Sequence, residues 1–221
     1  MQTQIYLIKL HETINYPLEN LLSIFSSERR QKILSYRQEN DRRTKILAEF
    51  LARALAAKKI FRPIEEVLIK RNANGKPYIM DSSLQISLSH SRNWVACSIG
   101  SFSSGVDVEE DFSDALEVAK NFFSPNEYLL LNRLSEAECS RKFLSLWTLK
   151  ESYGKFLGTG ISEKILQMDI QKFFDDNNKI GGQNFFLPEG AVAAICTEKK
   201  YLPETLTILS ADFLRSVWNK L

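Results

Sequence analysis

The sequence predicts an α+β protein, and three observations carry that expectation. Residues 67–109 form short runs of alternating apolar and polar character separated by turn residues, the pattern of strands in a small sheet. Residues 42–59 and 136–157 instead repeat apolar side chains at steps of three and four, the period of helices packed along one face. With 221 residues, 44% of them hydrophobic, the chain can bury a sizeable core, as one large domain or two smaller ones in contact.

Taken in order, Ile5 to Leu10 reads as a first strand, followed by a polar turn from His11 to Pro17, with His11 at the surface. Leu18 to Lys59 is helical in pattern, with a break at Gln38 to Asp41 where Asn and Asp can cap a new helix. Ile46, Leu47, Phe50, Leu51, Ala54 and Leu55 form the apolar stripe of that second helix. Between Glu28 and Lys45 lie seven basic residues against three acidic ones, and Arg29, Lys32 and Arg43 could converge on a phosphate.

Strands are expected at Val67–Lys70, Leu84–Leu88, Trp94–Ile99 and Gly105–Glu109, with a turn at Asn72–Pro77 and a tight corner at Ser89-His90-Ser91. At that corner Ser89 and His90 can offer a hydroxyl and an imidazole to a phosphate. Helices follow at Ala115–Phe123, from Pro125, and from Glu136 to Leu157, the last stopped by Gly158 and Gly160 and weakened by about 1 kcal/mol at Gly154. From Ile165 onward short strands are expected around Asp175–Asn178 and Gly181-Gly182, then a closing helix from Ala211 to Leu221.

The net charge of +2 argues against a dedicated nucleic-acid binder. Cys97, Cys139 and Cys196 have no metal-like spacing and read as packing residues of a chain kept in a reducing cytosol. The N-terminus lacks the basic start and apolar run of a secretory signal, and no run reaches membrane-spanning length, so a soluble cytoplasmic protein without a membrane partner is expected.

The chemistry concentrates in two stretches, Gly105-Val106-Asp107-Val108-Glu109 and Trp147-Thr148-Leu149-Lys150-Glu151-Ser152-Tyr153-Gly154-Lys155. On a strand, Val106 and Val108 point one way and Asp107 and Glu109 the other. On a helix, Glu151 and Lys155 stand one turn apart on one face. Taken singly, the acids suit the wet face of an amphipathic strand and the Glu–Lys pair a solvated surface. Taken together, Asp107, Glu109 and Glu151 make a hard-oxygen set suited to Mg²⁺ with phosphate oxygens of a substrate.

Gly-Val-Asp-Val-Glu followed by Trp-x-x-Lys-Glu-Ser-x-x-x-Lys resembles the paired signature of the 4′-phosphopantetheinyl transferases, in particular the long, single-chain Sfp-type. The upstream stretches Asn74-Gly75-Lys76-Pro77, Ser87-Leu88-Ser89-His90-Ser91 and Trp94-Val95-Ala96 are similar too, as is Phe122-Phe123-Ser124-Pro125-Asn126-Glu127-Tyr128, in order and spacing from about residue 28 to 160. The chain departs at Ser87, where many relatives carry Asn, which implies a differently capped corner.

The resemblance implies two similar α/β halves related by a pseudo-twofold axis, residues 1–104 and 105–221, each a small, mostly antiparallel sheet with a long packed helix, and an active site between them. It implies a monomer that moves 4′-phosphopantetheine from coenzyme A to a serine of an apo acyl, peptidyl or aryl carrier protein, in fatty acid, polyketide or nonribosomal peptide synthesis, with Mg²⁺ and release of 3′,5′-ADP. Arg29, Lys32 and Arg43 would hold the 3′-phosphate. Lys76, Ser89, His90, Lys150 and Lys155 would contact the remainder of coenzyme A, and Asp107, Glu109 and Glu151 the metal. Glu151, Glu127 or a metal-bound water would take the serine proton. Two alternatives remain at this point: another Mg²⁺-dependent phosphate-ester hydrolase, and a non-catalytic module that binds carrier proteins.

Overall fold

In the computed structural model, which describes residues 2–13 and 17–218, the first strand β1 spans Gln4–Lys9. The expected turn at His11 to Pro17 falls partly on residues 14–16, and residues 219–221 of the closing helix likewise lie outside the described residues. The helical stretch from Leu18 is in three pieces rather than two. A 3₁₀ turn covers Leu18–Ile24, and Ser26 then accepts a hydrogen bond from the Arg29 backbone N–H, capping a new helix α1 (Ser27–Leu34). Helix α2 (Glu39–Ile60) follows the predicted break, but neither Asn40 nor Asp41 caps it; the Asn40 side chain donates instead to the Arg92 carbonyl.

Strands β2 (Ile69–Arg71) and β3 (Pro77–Ile79) form a two-stranded ribbon. Its turn is held by the Asn72 side chain, which accepts from the Asn74 and Lys76 N–H groups. Strands β4 (Gln85–His90) and β5 (Trp94–Gly100) pair antiparallel, with Ser89 opposite Ala96 and His90 opposite Val95. The corner therefore sits two residues later than expected, at residues 91–93. There the Glu110 carboxylate gathers the Ser91 hydroxyl and the backbone and side-chain N–H groups of Asn93. β1 lies beside β5, and a late strand β9 (Thr207–Leu209) joins its other edge in parallel, giving the sheet order β4-β5-β1-β9.

A second, antiparallel sheet has β6 (Ser104–Glu109) at one edge, β8 (Val192–Glu198) at the centre and β7 (Ile180–Phe186) outside. The sheets meet where the β6 backbone N–H of Val106 donates to the Ser87 hydroxyl of β4, which is the work that Ser does at the position where the sequence departs from its resemblance. Helices α3 (Ala115–Phe122), α4 (Pro125–Leu131) and α5 (Glu136–Leu157) match expectation. Residues 163–176 do not: they form two short helices, α6 (Glu163–Leu166) and α7 (Ile170–Asp176), because Ser162 and Asp169 accept from the Ile165 and Lys172 N–H groups as caps. Helix α8 (Ala211–Trp218) ends the described chain.

Burial follows the alternation of the strands. Val95, Cys97 and Ile99 pack with the predicted stripe of α2, whereas Trp94 and Ala96 on the opposite face pack with Ile5, Leu7, Val106, Val108 and Ile195 between the sheets. Phe143, Leu146, Leu149 and Tyr153 of α5 cover the far face of the second sheet at Ala194 and Cys196. All three cysteines are free and buried. Two glycines set how closely α5 can lie. A Cβ on Gly105 would stand 2.0 Å from the Ser152 carbonyl oxygen, so its absence lets α5 rest directly on β6. A Cβ on Gly154 would stand 2.6 Å from the Gly160 carbonyl oxygen, so the residue that weakens the helix admits the turn that ends it.

Candidate functional site

The close contact of β6 and α5 delivers the two sequence stretches to one place. Asp107 is buried, and its Oδ1 accepts from the Lys155 ammonium at 2.6 Å and from the Ser89 hydroxyl at 2.7 Å. Lys155 also donates to Ser89 Oγ at 2.8 Å, so strand β4, strand β6 and helix α5 close a triangle of charge-assisted hydrogen bonds. The other carboxylate oxygen, Asp107 Oδ2, is buried with no partner among the described residues. Glu109 and Glu151 line the same cleft. Burial, then repulsion from Asp107, pushes the Glu109 carboxyl up to about 8 against the pull of Lys155, with Glu151 adding to the rise. Glu151 is raised by the same two causes in the same order.

The cleft, of about 420 Å³, has a basic wall opposite these acids: Arg29 and Lys32 of α1, Lys45 of α2 and Arg71 at the end of β2. Apart from Glu49 of α2, which lines the cleft among the cations, the charges are sorted by element, with cations on the first half of the chain, carboxylates on β6 and α5, and Lys155 at the junction. Lys45 donates to His90 Nε2 at 2.5 Å. Burial, then Lys45 and Lys155, pushes His90 down to about 4, so at neutral pH the imidazole is uncharged, with Nε2 accepting and the proton on Nδ1. Lys45 is itself lowered by burial and by the fields of Arg29 and Arg71, and Arg71 by burial and Arg29. Cations that repel one another across a cleft form a seat for an anion.

Of the expected residues, Arg29, Lys32, Ser89, His90, Asp107, Glu109, Glu151 and Lys155 come together here. Four do not. Arg43 does not line the cleft and donates to the Thr13 carbonyl at 2.7 Å; Lys45, two residues on, lines the cleft instead. Lys76 lines an adjoining cleft and donates to the Phe156 carbonyl at 3.0 Å and to Ser103 Oγ at 3.2 Å, tying the ribbon to the end of α5. Lys150 is fully buried, ion-paired to Glu127 at 2.9 Å and donating to the Ile165, Leu166 and Met168 carbonyls at the end of α6. Glu127 is buried with it, completing a capping box with Ser124 and accepting from the Ile170 N–H. Lys150 and Glu127 thus lock α4, α5, α6 and α7 together and are not placed to touch a ligand in the cleft. Sequence reasoning missed Lys45 and Arg71 as site residues. Lys45 stood inside the basic run, but nothing local marks Arg71.

Among the described residues no three His, Cys, Asp or Glu side chains stand close enough to form a metal cluster. Mg²⁺ does not require one, since it takes one or two carboxylates and fills its remaining positions with water and phosphate oxygens. The unpartnered Asp107 Oδ2 and the proton-hungry Glu109 beside it fit such an ion, because a dication would satisfy the first and relieve the repulsion that raises the second. No helix among the described residues is long and apolar enough to cross a membrane.

A family model described as "4'-phosphopantetheinyl transferase superfamily" matches residues 103–210, and one described as "4'-phosphopantetheinyl transferase, N-terminal" matches residues 13–100. The chain is 31% identical over 173 residues to 4'-phosphopantetheinyl transferase gsp of Aneurinibacillus migulanus, covering 78% of this chain and 70% of that one. It is 30% identical over 213 residues to 4'-phosphopantetheinyl transferase psf-1 of Bacillus pumilus, covering 91% of each. It is 28% identical over 206 residues to 4'-phosphopantetheinyl transferase Sfp of Bacillus subtilis (strain 168), covering 89% of this chain and 92% of that one. With acids and cations of the signature stretches facing one cleft, and these likenesses running through both halves of the sequence, the chain belongs to the 4′-phosphopantetheinyl transferase superfamily.

Proposed function

We propose that this chain transfers the 4′-phosphopantetheine group of coenzyme A to a serine hydroxyl of an apo acyl, peptidyl or aryl carrier protein, releasing 3′,5′-ADP, in a Mg²⁺-dependent reaction in the cytoplasm. The observation that supports it best is the sorting of charge in the cleft, where a basic wall of Arg29, Lys32, Lys45 and Arg71 faces the carboxylates of β6 and α5. A ligand with a phosphomonoester at one end and a pyrophosphate at the other matches that division. The functional halves are residues 1–104, which carry the basic wall, and 105–221, which carry the acids; β9 and α8 return to the first sheet. The enzyme works as a monomer.

Asp107 and Glu109 would hold the Mg²⁺. The ion, when bound, draws charge from the pyrophosphate oxygens. Lys155 stands against Asp107 and can shift toward the phosphoryl oxygens as charge moves onto the leaving group, while Ser89 keeps Asp107 in place. Neutral His90 offers its Nδ1–H as a further donor. Glu151, raised above the usual carboxylate range and on the same cleft, accepts the proton of the serine hydroxyl as its oxygen attacks the phosphorus next to pantetheine and the bond to the 3′,5′-ADP oxygen breaks. Positioning and electrostatics supply most of the acceleration.

The test is mass spectrometry of several apo-carriers incubated with the enzyme, coenzyme A and Mg²⁺. A gain of one phosphopantetheine, absent with EDTA, is the expected result. Phosphate release from coenzyme A without any carrier would point to a hydrolase instead.

A further inference from the structure

Behind the basic wall lies a charged group that the reaction above does not use. Arg53, one turn after Glu49 on α2, is 2% exposed; its Nη2 lies 3.6 Å from Glu49 Oε1, and its Nε and Nη1 have no partner among the described residues. Its guanidinium sits over the Phe25 ring at 5.2 Å. Glu49, also 2% exposed, accepts from Arg29 Nε at 2.5 Å through its other oxygen.

A buried ion pair contributes little to stability compared with apolar residues of the same volume, and less when two donors go unmet. Charge balance gives a reason for it. A lone Glu49 beside Arg29 would neutralise the cation it orients. With Arg53 behind it, the group of two guanidiniums and one carboxylate keeps a net positive charge toward the cleft. The contact from Arg29, which lines the cleft, is made through Nε, so Glu49 does not engage the Nη groups, the donors suited to a phosphate. Glu49 also moderates the mutual repulsion of the wall, since its field supports the charge of Arg71 while that of Arg29 opposes it.

We infer that Glu49 is a positioning residue for recognition of a terminal phosphomonoester: it orients Arg29, and Arg53 offsets its charge so that the wall stays positive enough for a dianion. The inference rests on the transferase reading above, which supplies the phosphomonoester as the 3′-phosphate of coenzyme A.

Steady-state kinetics of carrier modification with coenzyme A and with 3′-dephospho-coenzyme A test it. Glu49→Gln raises KM for coenzyme A about tenfold, the size of one charge-assisted hydrogen bond, with kcat and the KM for the dephospho compound nearly unchanged. Arg53→Met, which leaves Glu49 to neutralise Arg29, gives the same selective loss, and adding Glu49→Gln to it restores part of the preference. Arg53→Lys keeps the charge and the preference, so Glu49→Gln and Arg53→Lys decide the matter if Arg53→Met does not fold. Full retention of the preference in Glu49→Gln overturns the inference, as does an equal loss for both compounds with a lowered melting temperature. A wild-type enzyme that modifies carriers but does not distinguish the two compounds overturns it as well. A wild-type chain that modifies no carrier with either compound overturns the transferase reading, and this inference with it.

Discussion

Lys150 and Lys155 lie five residues apart on α5, and each meets a buried carboxylate, yet the two pairs are built for different ends. Lys150 and Glu127 are 0% and 3% exposed, and around the pair every oxygen and N–H has a partner: three carbonyls for the ammonium, a capping box and a helix N-terminus for the carboxylate. Lys155 is 27% exposed and opens onto the cleft, and its partner Asp107 keeps one buried oxygen unmet. A buried polar network that is fully satisfied holds elements in register, whereas a half-satisfied one implies a further partner. The phase of the helix makes the difference, since five residues turn the side chain through about 140° from where it began.

The comparison breaks most visibly at Lys150. Replacing it by Met leaves Glu127 buried without a counter-charge, and the loss expected is about 3–5 kcal/mol of unfolding free energy in urea denaturation. Lys150→Met combined with Glu127→Gln recovers part of that loss, because the stranded charge is gone. If Lys150→Met melts like wild type and instead raises KM for coenzyme A, the lysine belongs to the ligand after all.

Asp107 gives the opposite pattern. Asp107→Ala removes the oxygen reserved for a ligand, while Val106 and Val108 still pack between the sheets. Carrier modification falls by roughly 10²- to 10³-fold, the scale of losing a preorganised electrostatic contact at the reacting centre. The melting temperature holds or rises, because the removed carboxylate was incompletely satisfied. A marked fall in melting temperature with substantial activity left would place Asp107 with Glu127 as a structural acid.

How much of this the sequence discloses depends on whether a feature is local. The period of two in β6 separates Asp107 and Glu109 from the valines, and one helical turn joins Glu151 to Lys155, so the acidic side and its lysine were legible. The capping signature Ser124-x-x-Glu127 is equally local and marks Glu127 as a helix-start acid; the resemblance drew attention to catalysis instead. Which cations face the cleft is not local. Arg43 and Lys45 differ only in rotation about α2, and the packing of α2 on the first sheet decides that Lys45 meets His90 while Arg43 meets Thr13. Arg71 reaches the cleft because a ribbon folds over, which no run of residues announces. The helices at residues 163–176 were misread as strands because each is short; the capping positions Ser162 and Asp169 were their only sequence signal.

The smallest expected effect concerns His90, which shares the Lys155 side of the comparison. Its folded pKa, about 4, lies below the ordinary value of 6.5, because it is buried and faces Lys45, Lys155 and, more weakly, Arg29. Between those two values the unfolded chain binds a proton that the folded chain refuses, so stability falls as pH drops through the window and is fully present above it. With ligand-free protein, the melting temperature should decline by about 4–8 °C more in wild type than in His90→Gln between pH 6.5 and 4.5, the change that about 2 kcal/mol produces in a chain of this size. Coenzyme A should shrink the difference, since a phosphate in the cleft offsets the cations that hold His90 neutral. Identical pH profiles for wild type and His90→Gln would mean that His90 is free to take up a proton in the folded protein, and the cations around it would then not act as one seat for an anion.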